Sequence, residues 1–143
     1  MTMNRIEKTA FNLIKKYYPD KNISILELCP GVGSLAEALL ESGYKNIEAM
    51  DVYPEKFKTK GVKCYRGNLK EDLPFENEKY DLVIAVEGIE HLENQYHFAK
   101  ECNRILKYGG GAITCYYHPQ HHQFRFTDQI SIYGFLFLMH PTP

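Results

Sequence analysis

The chain lacks several of the features that place a sequence quickly in one class of protein. Its four cysteines form no Cys-x-x-Cys pair, and no amino-terminal signal peptide is recognisable. Both absences favour reduced thiols and predict a cytoplasmic protein. No apolar run approaches the ~20 residues of a membrane span, because the longest candidate extends only from Ile132 to Met139. We therefore expect no membrane insertion.

An excess of charge of either sign is also missing. The 143 residues include 17 basic and 18 acidic side chains, which gives a formal net charge of -1. This balance provides no general attraction to nucleic acid or to an anionic membrane. A small-molecule substrate fits it better. With 44% hydrophobic residues, a chain of this length predicts one domain over residues 1–143.

Charged residues are scarce in the last part of the chain, where only Arg125 and Asp128 are charged after residue 107. A segment with so few charges is expected to lie against another surface. We expect Ile130 to Met139 to cover an open sheet edge, either within the chain or across a homodimer. Three histidines in this part have no matched cysteine or carboxylate set, so no metal site is predicted. They are His118, His121 and His122.

One segment near the amino terminus carries most of the functional signal. The apolar run from Ile23 to Leu28 predicts a buried strand, and Gly31 and Gly33 allow the backbone to turn and approach a ligand closely. A helix follows from Ser34, and a second predicted strand ends at Asp51. Ligands of open α/β sheets bind at the carboxyl ends of strands, where a carboxylate can accept both ribose hydroxyls. The pattern therefore predicts a site for a nucleoside-like cofactor.

Two cofactors compete for this glycine turn. The segment from Gly31 to Ala36 fits the dinucleotide fingerprint G-x-G-x-x-A, in which a pyrophosphate lies at the helix N-terminus. Glu27, just before the glycines, would repel a pyrophosphate but could accept an ammonium group. S-adenosylmethionine carries such a group, so we favour it over a nicotinamide dinucleotide, which stays an alternative.

Hydrophobic periodicity predicts helices and strands in alternation along the rest of the chain. An amphipathic helix opens the chain and ends near Pro19. Strands that alternate with helices predict a parallel sheet in an α/β fold. The later expected elements are strands at 23–28, 47–50, 62–65, 82–86 and 112–116, and helices from Ser34 and at 95–106.

The glycine turn and four later segments together resemble the class I S-adenosylmethionine-dependent methyltransferases. Glu27 to Gly33 is similar to the first motif of that family, an acidic residue followed by a glycine-rich loop. The resemblance covers roughly residues 20–117, and the order of the segments makes it more specific than any one of them. The later segments are Gly67 to Leu69, Leu73 to Phe75, Tyr80 to Leu92 and Arg104 to Gly111.

The resemblance implies a Rossmann-like three-layer αβα sandwich with a mostly parallel sheet of about five strands, without the last two strands usual in the family. It also implies a set of cofactor-binding residues. Their expected contacts are Glu27 with the amino group, the backbone of Cys29, Pro30, Gly31 and Gly33 with the methionine part, Asp51 with the ribose, Val52, Asn68 and Leu69 with the adenine, and Glu87 with the loop after the fourth strand.

The sequence departs from the family pattern at several positions. Cys29 stands where the first glycine is usual, Asn68 where an aspartate is common, and Tyr108 where a proline is common. No catalytic residue is predicted; His91 follows the fourth strand and is either a base or a residue that shapes the loop.

We expect methyl transfer to an unidentified, small-molecule acceptor. The alternatives are a shortened cofactor-binding or interaction protein without activity, and a dinucleotide-dependent oxidoreductase.

Overall fold

The computed structural model describes residues 1–115, together with the backbone of residues 135–138. Two short 3-10 turns, Pro54–Lys56 and Ile89–His91, lie between the main elements. The predicted order of strands and helices is confirmed. The elements are α1 (Arg5–Tyr17), β1 (Ser24–Leu28), α2 (Ser34–Glu41), β2 (Asn46–Asp51), β3 (Lys63–Arg66), β4 (Tyr80–Val86), α3 (Gln95–Ile105), β5 (Leu106–Cys115) and β6 (Phe135–Leu138).

The strands form one sheet in the order β3-β2-β1-β4-β5-β6. The first five strands are parallel, and β6 pairs antiparallel with β5. Strand β1 therefore lies between β2 and β4, where the direction of strand succession reverses. This arrangement confirms the predicted Rossmann-like sheet of five parallel strands, and β6 adds one strand to it.

Two apolar cores cover the two faces of the sheet. On one face, α1 and α2 pack against alternate strand residues such as Ile25 and Ile84. On the other face, α3 and the segment before β4 pack against the neighbouring positions, including Leu26 and Val83. Because side chains alternate along a strand, Glu27 lies on the same face as Ile25. It therefore points toward α1 and α2.

Strand β5 is longer at its beginning than predicted. It starts at Leu106 instead of Ala112, but its pairing with β4 jumps from Leu106 opposite Tyr80 to Gly111 opposite Leu82. The glycine-rich turn expected before this strand is thus an irregularity inside it. A Cβ at Gly110 would lie 2.9 Å from the Asp81 carbonyl oxygen, so only glycine fits this close backbone approach. The predicted end at Tyr116 lies outside the described residues.

An arginine fixes the segment between β3 and β4. Arg104 donates hydrogen bonds to the carbonyls of Leu73 (2.8 Å) and Phe75 (2.7 Å), to Asn77 Oδ1 (3.0 Å) and to Glu101 Oε2 (2.8 Å). The other oxygen of Glu101 accepts the backbone N–H of Leu73 at 2.7 Å. We call these five residues the Arg104 clamp. The clamp gives a structural reason for the arginine near the end of α3.

The tail is described only at β6, which pairs with the edge of β5. Its position agrees with cover of that edge within the chain, whereas the homodimer stays a prediction. His118, His121 and His122 lie outside the described residues. In residues 1–115 no group of three metal-ligating side chains is found. The longest helix there has 13 residues, and no helix in this part is long and apolar enough to cross a membrane.

Candidate functional site

The glycine turn joins β1 to α2 through three left-handed backbone positions. Cys29, Gly31 and Gly33 have φ angles of 55°, 58° and 96°. The backbone N–H of Cys29 donates to the Met50 carbonyl (2.9 Å), and that of Gly33 donates to the Pro30 carbonyl (3.0 Å). The turn is therefore closed on itself and tied to β2. Cys29 adopts a conformation that glycine takes without a steric cost.

The two glycines of the turn are required for different reasons. A Cβ at Gly33 would lie 2.3 Å from Thr59 Oγ1 and 2.6 Å from Phe57 Cε2. The Thr59 hydroxyl also donates to the Gly33 carbonyl at 2.7 Å. A Cβ at Gly31 would meet no protein atom within 4 Å. The space above Gly31 is thus open, as a turn that approaches a ligand requires.

Glu27 is 2% exposed, yet its Oε2 atom has no hydrogen-bond partner within the described part of the chain. Burial and, to a smaller extent, the negative charge of Glu7 raise the pKa of this carboxyl to about 8, against the lowering effect of a hydrogen bond from the backbone N–H of Ala36. A buried carboxyl without a cation keeps its proton more strongly. The structure therefore holds an unsatisfied acidic group beside the turn.

Asp51 lies at the end of β2 and borders the open space above the turn. Its Oδ1 accepts the backbone N–H of Tyr53 at 2.9 Å, and its Oδ2 accepts the N–H of Gly31 at 3.3 Å. The second contact is long, so this carboxylate retains accepting capacity. Three apolar side chains near these residues are exposed to solvent. They are Val32, Val52 and Tyr53.

The loops after β3 and β4 meet the glycine turn from the other side. A Cβ at Gly88 would lie 3.2 Å from Cys29 Sγ and 3.8 Å from Leu69 Cδ1. Leu69 is buried, whereas Asn68 is half-buried. The Asn68 side-chain oxygen accepts the backbone N–H of Lys70 at 2.9 Å. One of the two lone pairs of the Asn68 oxygen is therefore used within the loop, and the second can accept another hydrogen bond.

Glu87 follows β4 with a left-handed φ of 55°. Its backbone N–H donates to the Cys115 carbonyl at 2.7 Å, and its Oε2 accepts the side-chain amide of Asn4 at 3.5 Å. The loop is thus tied to β5 and to the start of α1. His91 projects from the next turn with 83% of its side chain exposed. The structure does not bring His91 into the group around the glycine turn.

The start of α1 belongs to this region, although the sequence predictions did not include it. Asn4 and Glu7 form a reciprocal capping box, in which each side chain accepts the backbone N–H of the other. Both Glu7 oxygens also lie within 3.3 Å of the Ser34 hydroxyl, the first residue of α2. The Asn-x-x-Glu spacing is readable from the sequence as a helix start. The position of this helix start beside the glycine turn depends on tertiary packing, which no local sequence pattern indicates.

Ten residues were expected at the cofactor site, and the structure places all of them at the carboxyl ends of β1 to β4. This edge also gathers the carboxylates of Glu7, Glu27, Asp51 and Glu87, and no lysine or arginine of residues 1–115 pairs with Glu27. The unpaired Glu27 oxygen and the open space over Gly31 fit a cationic, ribose-containing ligand. S-adenosylmethionine has both properties, whereas a pyrophosphate would face the acidic groups.

Comparison with known proteins identifies the family of the chain. Residues 26–114 match the family described as "Methyltransferase domain". The chain belongs to this methyltransferase family. The match includes the glycine turn, Asp51, the loops after β3 and β4, and most of β5, and it confirms the resemblance found in the sequence.

The sequence identity to individual known proteins is low. A Rickettsia typhi protein named ubiquinone biosynthesis O-methyltransferase is 34% identical over 110 residues, which cover 70% of this chain and 44% of that protein. The Haloferax volcanii partner of the Trm112 methyltransferase activator has a TM-score of 0.71 at 24% identity, covering 92% of this chain and 61% of that one. The cyclase SpnF has a TM-score of 0.64 at 17% identity, covering 76% and 44%. The chain thus spans less than half of the curated relative.

Proposed function

We propose that the domain binds S-adenosylmethionine and transfers its methyl group to a small-molecule acceptor. The observation that carries this proposal is the presence of two carboxyls beside the glycine turn: the unsatisfied, buried Glu27 and the half-buried Asp51. A ligand with an ammonium group at one end and ribose hydroxyls nearby would satisfy both. Membership in the methyltransferase family supports the same ligand.

Each part of the site has a distinct task in this proposal. Glu27 attracts the ammonium group, and the backbone from Cys29 to Gly33 lines the methionine part. Asp51 accepts the ribose hydroxyls, and the exposed Val52 side chain packs against the adenine. Asn68 and Leu69 border the adenine edge, and Glu87 holds the loop after β4.

When bound, S-adenosylmethionine supplies a methyl group already activated by a positively charged sulfur. The protein must then orient the acceptor in line with that bond and exclude water. A general base is required only for an acceptor that must lose a proton early. Among the described residues, Glu90 lies next to His91 with its Oε1 3.7 Å from His91 Nε2. A role of His91 as base stays a hypothesis, because its side chain faces solvent.

The name of the Rickettsia typhi relative supports an oxygen atom as acceptor. The relative extends well beyond the region it shares with this chain, and acceptor pockets depend on segments added to the common fold. We therefore propose only a hydroxyl-bearing small molecule as substrate. The likeness to SpnF favours a second candidate, a cofactor-binding domain without methyl transfer, because a protein named as a cyclase shares this fold.

Calorimetric titration tests the cofactor proposal directly. S-adenosylmethionine and S-adenosylhomocysteine are expected to bind the wild-type domain, and NAD is not. Asp51→Ala should weaken S-adenosylhomocysteine binding about 10- to 100-fold, because two hydrogen bonds to the ribose hydroxyls are lost. Exclusive binding of NAD would contradict the proposal and favour the oxidoreductase alternative.

Asp20→Ala is the matched control for the Asp51 variant. Asp20 also accepts a backbone N–H two residues ahead, from Asn22 at 2.9 Å, but it lies before β1. Its replacement should leave the affinity unchanged, which separates loss of a turn from loss of a ligand contact. Turnover of the methyl donor with hydroxyl-bearing acceptors then distinguishes an enzyme from a binding protein. Tight binding without any turnover would favour the second candidate.

A further inference from the structure

Helix α1 brings a second carboxylate to the buried Glu27. Glu7 lies in the first turn of α1, where the capping box fixes its side chain, and its two oxygens contact Ser34 Oγ at 3.2 and 3.3 Å. Ser34 and Ala36 both belong to the first turn of α2, and Ala36 donates to Glu27. The two carboxyls therefore meet at the same helix end, one from α1 and one from β1.

Among residues 1–115 no cation acts on Glu27, and the Met1 ammonium group, which reaches the first turn of α2, is bound by Glu37 at 2.8 Å. The neighbours of Glu27 in the sheet are Ala49 on β2 and Ile84 on β4, which are both apolar and buried. Within the described residues, the charged or titratable groups that act on Glu27, or that Glu27 acts on, are acids and thiols. They are Glu7 on α1, Cys29 in the glycine turn and Cys64 on β3.

Contacts that hold the fold account for Glu7, which completes the α1 capping box and accepts from Ser34, but not for the unused oxygen of Glu27. One carboxyl is enough to accept the N–H of Ala36, and a nearby second charge makes ionisation of a buried acid less favourable. A buried polar atom without a partner destabilises a folded chain by about 1–3 kcal/mol. Two acids placed together, one with an unused buried oxygen, fit a cationic group that arrives from outside the chain.

We propose that Glu7 and Glu27 together receive the primary ammonium group of the amino acid part of the cofactor, with Glu7 as a positioning residue that α1 adds to the family's glycine turn. This inference rests on the proposed function and extends it to a helix outside residues 26–114. It assigns to α1 a part in ligand recognition as well as in packing.

Proton release on binding follows from this arrangement. Without ligand, Glu27 holds a proton at neutral pH because its pKa is about 8. An ammonium group beside it favours the carboxylate, so the proton of the Glu27 carboxyl leaves to the solvent and a carboxylate–ammonium pair forms. Affinity should therefore rise with pH between about 6 and 8, the range in which the free carboxyl still holds its proton.

The first measurement uses the wild-type chain alone. Binding of S-adenosylhomocysteine is titrated calorimetrically at pH 6.5 in two buffers with different ionisation enthalpies, which gives the number of protons released. We expect about one proton per bound ligand. We expect none with 5′-methylthioadenosine, which keeps the adenine, ribose and thioether but lacks the amino acid part.

The second measurement uses Glu7→Gln, because glutamine also completes a capping box. Its affinity for S-adenosylhomocysteine should fall about tenfold through loss of a charge-assisted contact, with binding of 5′-methylthioadenosine changed less than about twofold. Glu37→Gln is the control, since Glu37 is in the first turn of α2, as Glu7 is in the first turn of α1, and it pairs with the Met1 ammonium group but does not act on Glu27. Both ligands should bind that variant as they bind the wild type.

The outcomes separate this inference from the proposed function. If neither ligand binds the wild type, the proposed function is wrong, and the inference is wrong with it. If both ligands bind but S-adenosylhomocysteine releases no proton, or if Glu7→Gln weakens both ligands equally, only the inference is overturned. If Glu7→Gln does not fold, Glu7→Asp replaces it: the shorter side chain should weaken binding of S-adenosylhomocysteine and leave binding of 5′-methylthioadenosine unchanged, and equal effects on the two ligands would overturn the inference.

Discussion

Two buried glutamates on opposite faces of the sheet have opposite electrostatic environments. Glu101, in the Arg104 clamp, is 8% exposed, and its hydrogen bonds with Arg104 hold the pKa of its carboxyl below the usual range. Glu27, beside the glycine turn, is 2% exposed and has no cation, so its pKa is raised to about 8. Both side chains are largely hidden from solvent, but Glu27 is the more deeply buried and lacks a cation, whereas Glu101 has Arg104 beside it.

The comparison shows how polar groups are used in two parts of one domain. In the Arg104 clamp, both oxygens of the carboxylate and several guanidinium donors have partners. At the glycine turn, one carboxyl oxygen of Glu27 has no partner. Left-handed residues other than glycine occur in both regions, with Cys29 in the turn and Glu78 hydrogen-bonded to the Arg104 carbonyl, so the unsatisfied oxygen is what distinguishes the turn. Unsatisfied buried groups are a mark of functional sites. The contrast therefore supports ligand binding at the turn and a structural role for the clamp.

Removal of the arginine should have the largest effect on stability. Arg104→Ala leaves Glu101 buried without its cation and frees two carbonyls, so the free energy of unfolding should fall by about 3–5 kcal/mol. Urea denaturation measures this change. Arg66→Ala is the matched control, because Arg66 and its partner Glu55 are both largely exposed, and it should cost less than about 1 kcal/mol. Equal losses of stability in the two variants would contradict a structural role for the Arg104 clamp.

Replacement of Glu27 should change the free energy of unfolding by a smaller amount, and the change should depend on pH. The folded-state pKa is raised, so ionisation in the unfolded state reduces the stability of the wild type as pH rises from about 4.5 to 8. Glu27→Gln cannot ionise and should be as stable as the wild type near pH 4.5, but more stable by about 3 kcal/mol at pH 7. Urea midpoints at both pH values test this difference.

Glu101→Gln is the counterpart of that variant. The pKa of Glu101 is lowered, so its stabilising contribution is present above about pH 4.5 and is lost as pH falls through the lowered value. Glu101→Gln should therefore be less stable than the wild type at pH 8 and approach it in acid. Parallel pH profiles for the two glutamine variants would contradict the contrast between the two sites.

Relief of backbone strain should give the smallest change. Cys29 adopts a left-handed conformation in the turn, and Glu78 adopts the same conformation with a φ of 53° far from it. Cys29→Gly and Glu78→Gly should each raise stability by up to about 1 kcal/mol. Cys29→Gly also removes the sulfur that faces Gly88, so it alone should change affinity for S-adenosylhomocysteine. Equal affinities in both variants would show that Cys29 has no part in the site.

Much of the fold was predictable because local patterns and tertiary packing agree. The segments before Cys29 and after Lys79 are predominantly apolar runs. Such runs are typical of parallel strands, which are buried on both faces of the sheet. The start of β5 was predicted late because its first residues form an irregularity around Gly109 and Gly110. Residue spacing does not distinguish a turn before a strand from a bulge within it. The scarcity of charge after residue 107 predicted that Ile130 to Met139 covers the edge of the fifth strand, and residues 135–138 pair with β5 within the chain, but the antiparallel direction and the register were not predicted.

The candidate site was predictable where its residues follow strand ends. Glu27 and Asp51 each close a strand next to the glycine turn, so the parallel sheet brings them together. Glu7, Asn4 and Thr59 were missed, because they come from a helix and a loop whose approach depends on packing. His91 follows β4 in sequence, but the 3-10 turn at Ile89–His91 directs its side chain to solvent. The position of His91 after a strand did not show which way its side chain points.

The central place of β1 also has a consequence for folding. Its pairing with β2 joins residues about twenty positions apart, but its pairing with β4 joins Ile25 to Leu82. The loops that surround Glu27 are brought together only when this distant pair has formed, and such pairs form slowly because a long loop must close first. Cofactor binding during refolding should therefore appear late, after the central strand has acquired both neighbours.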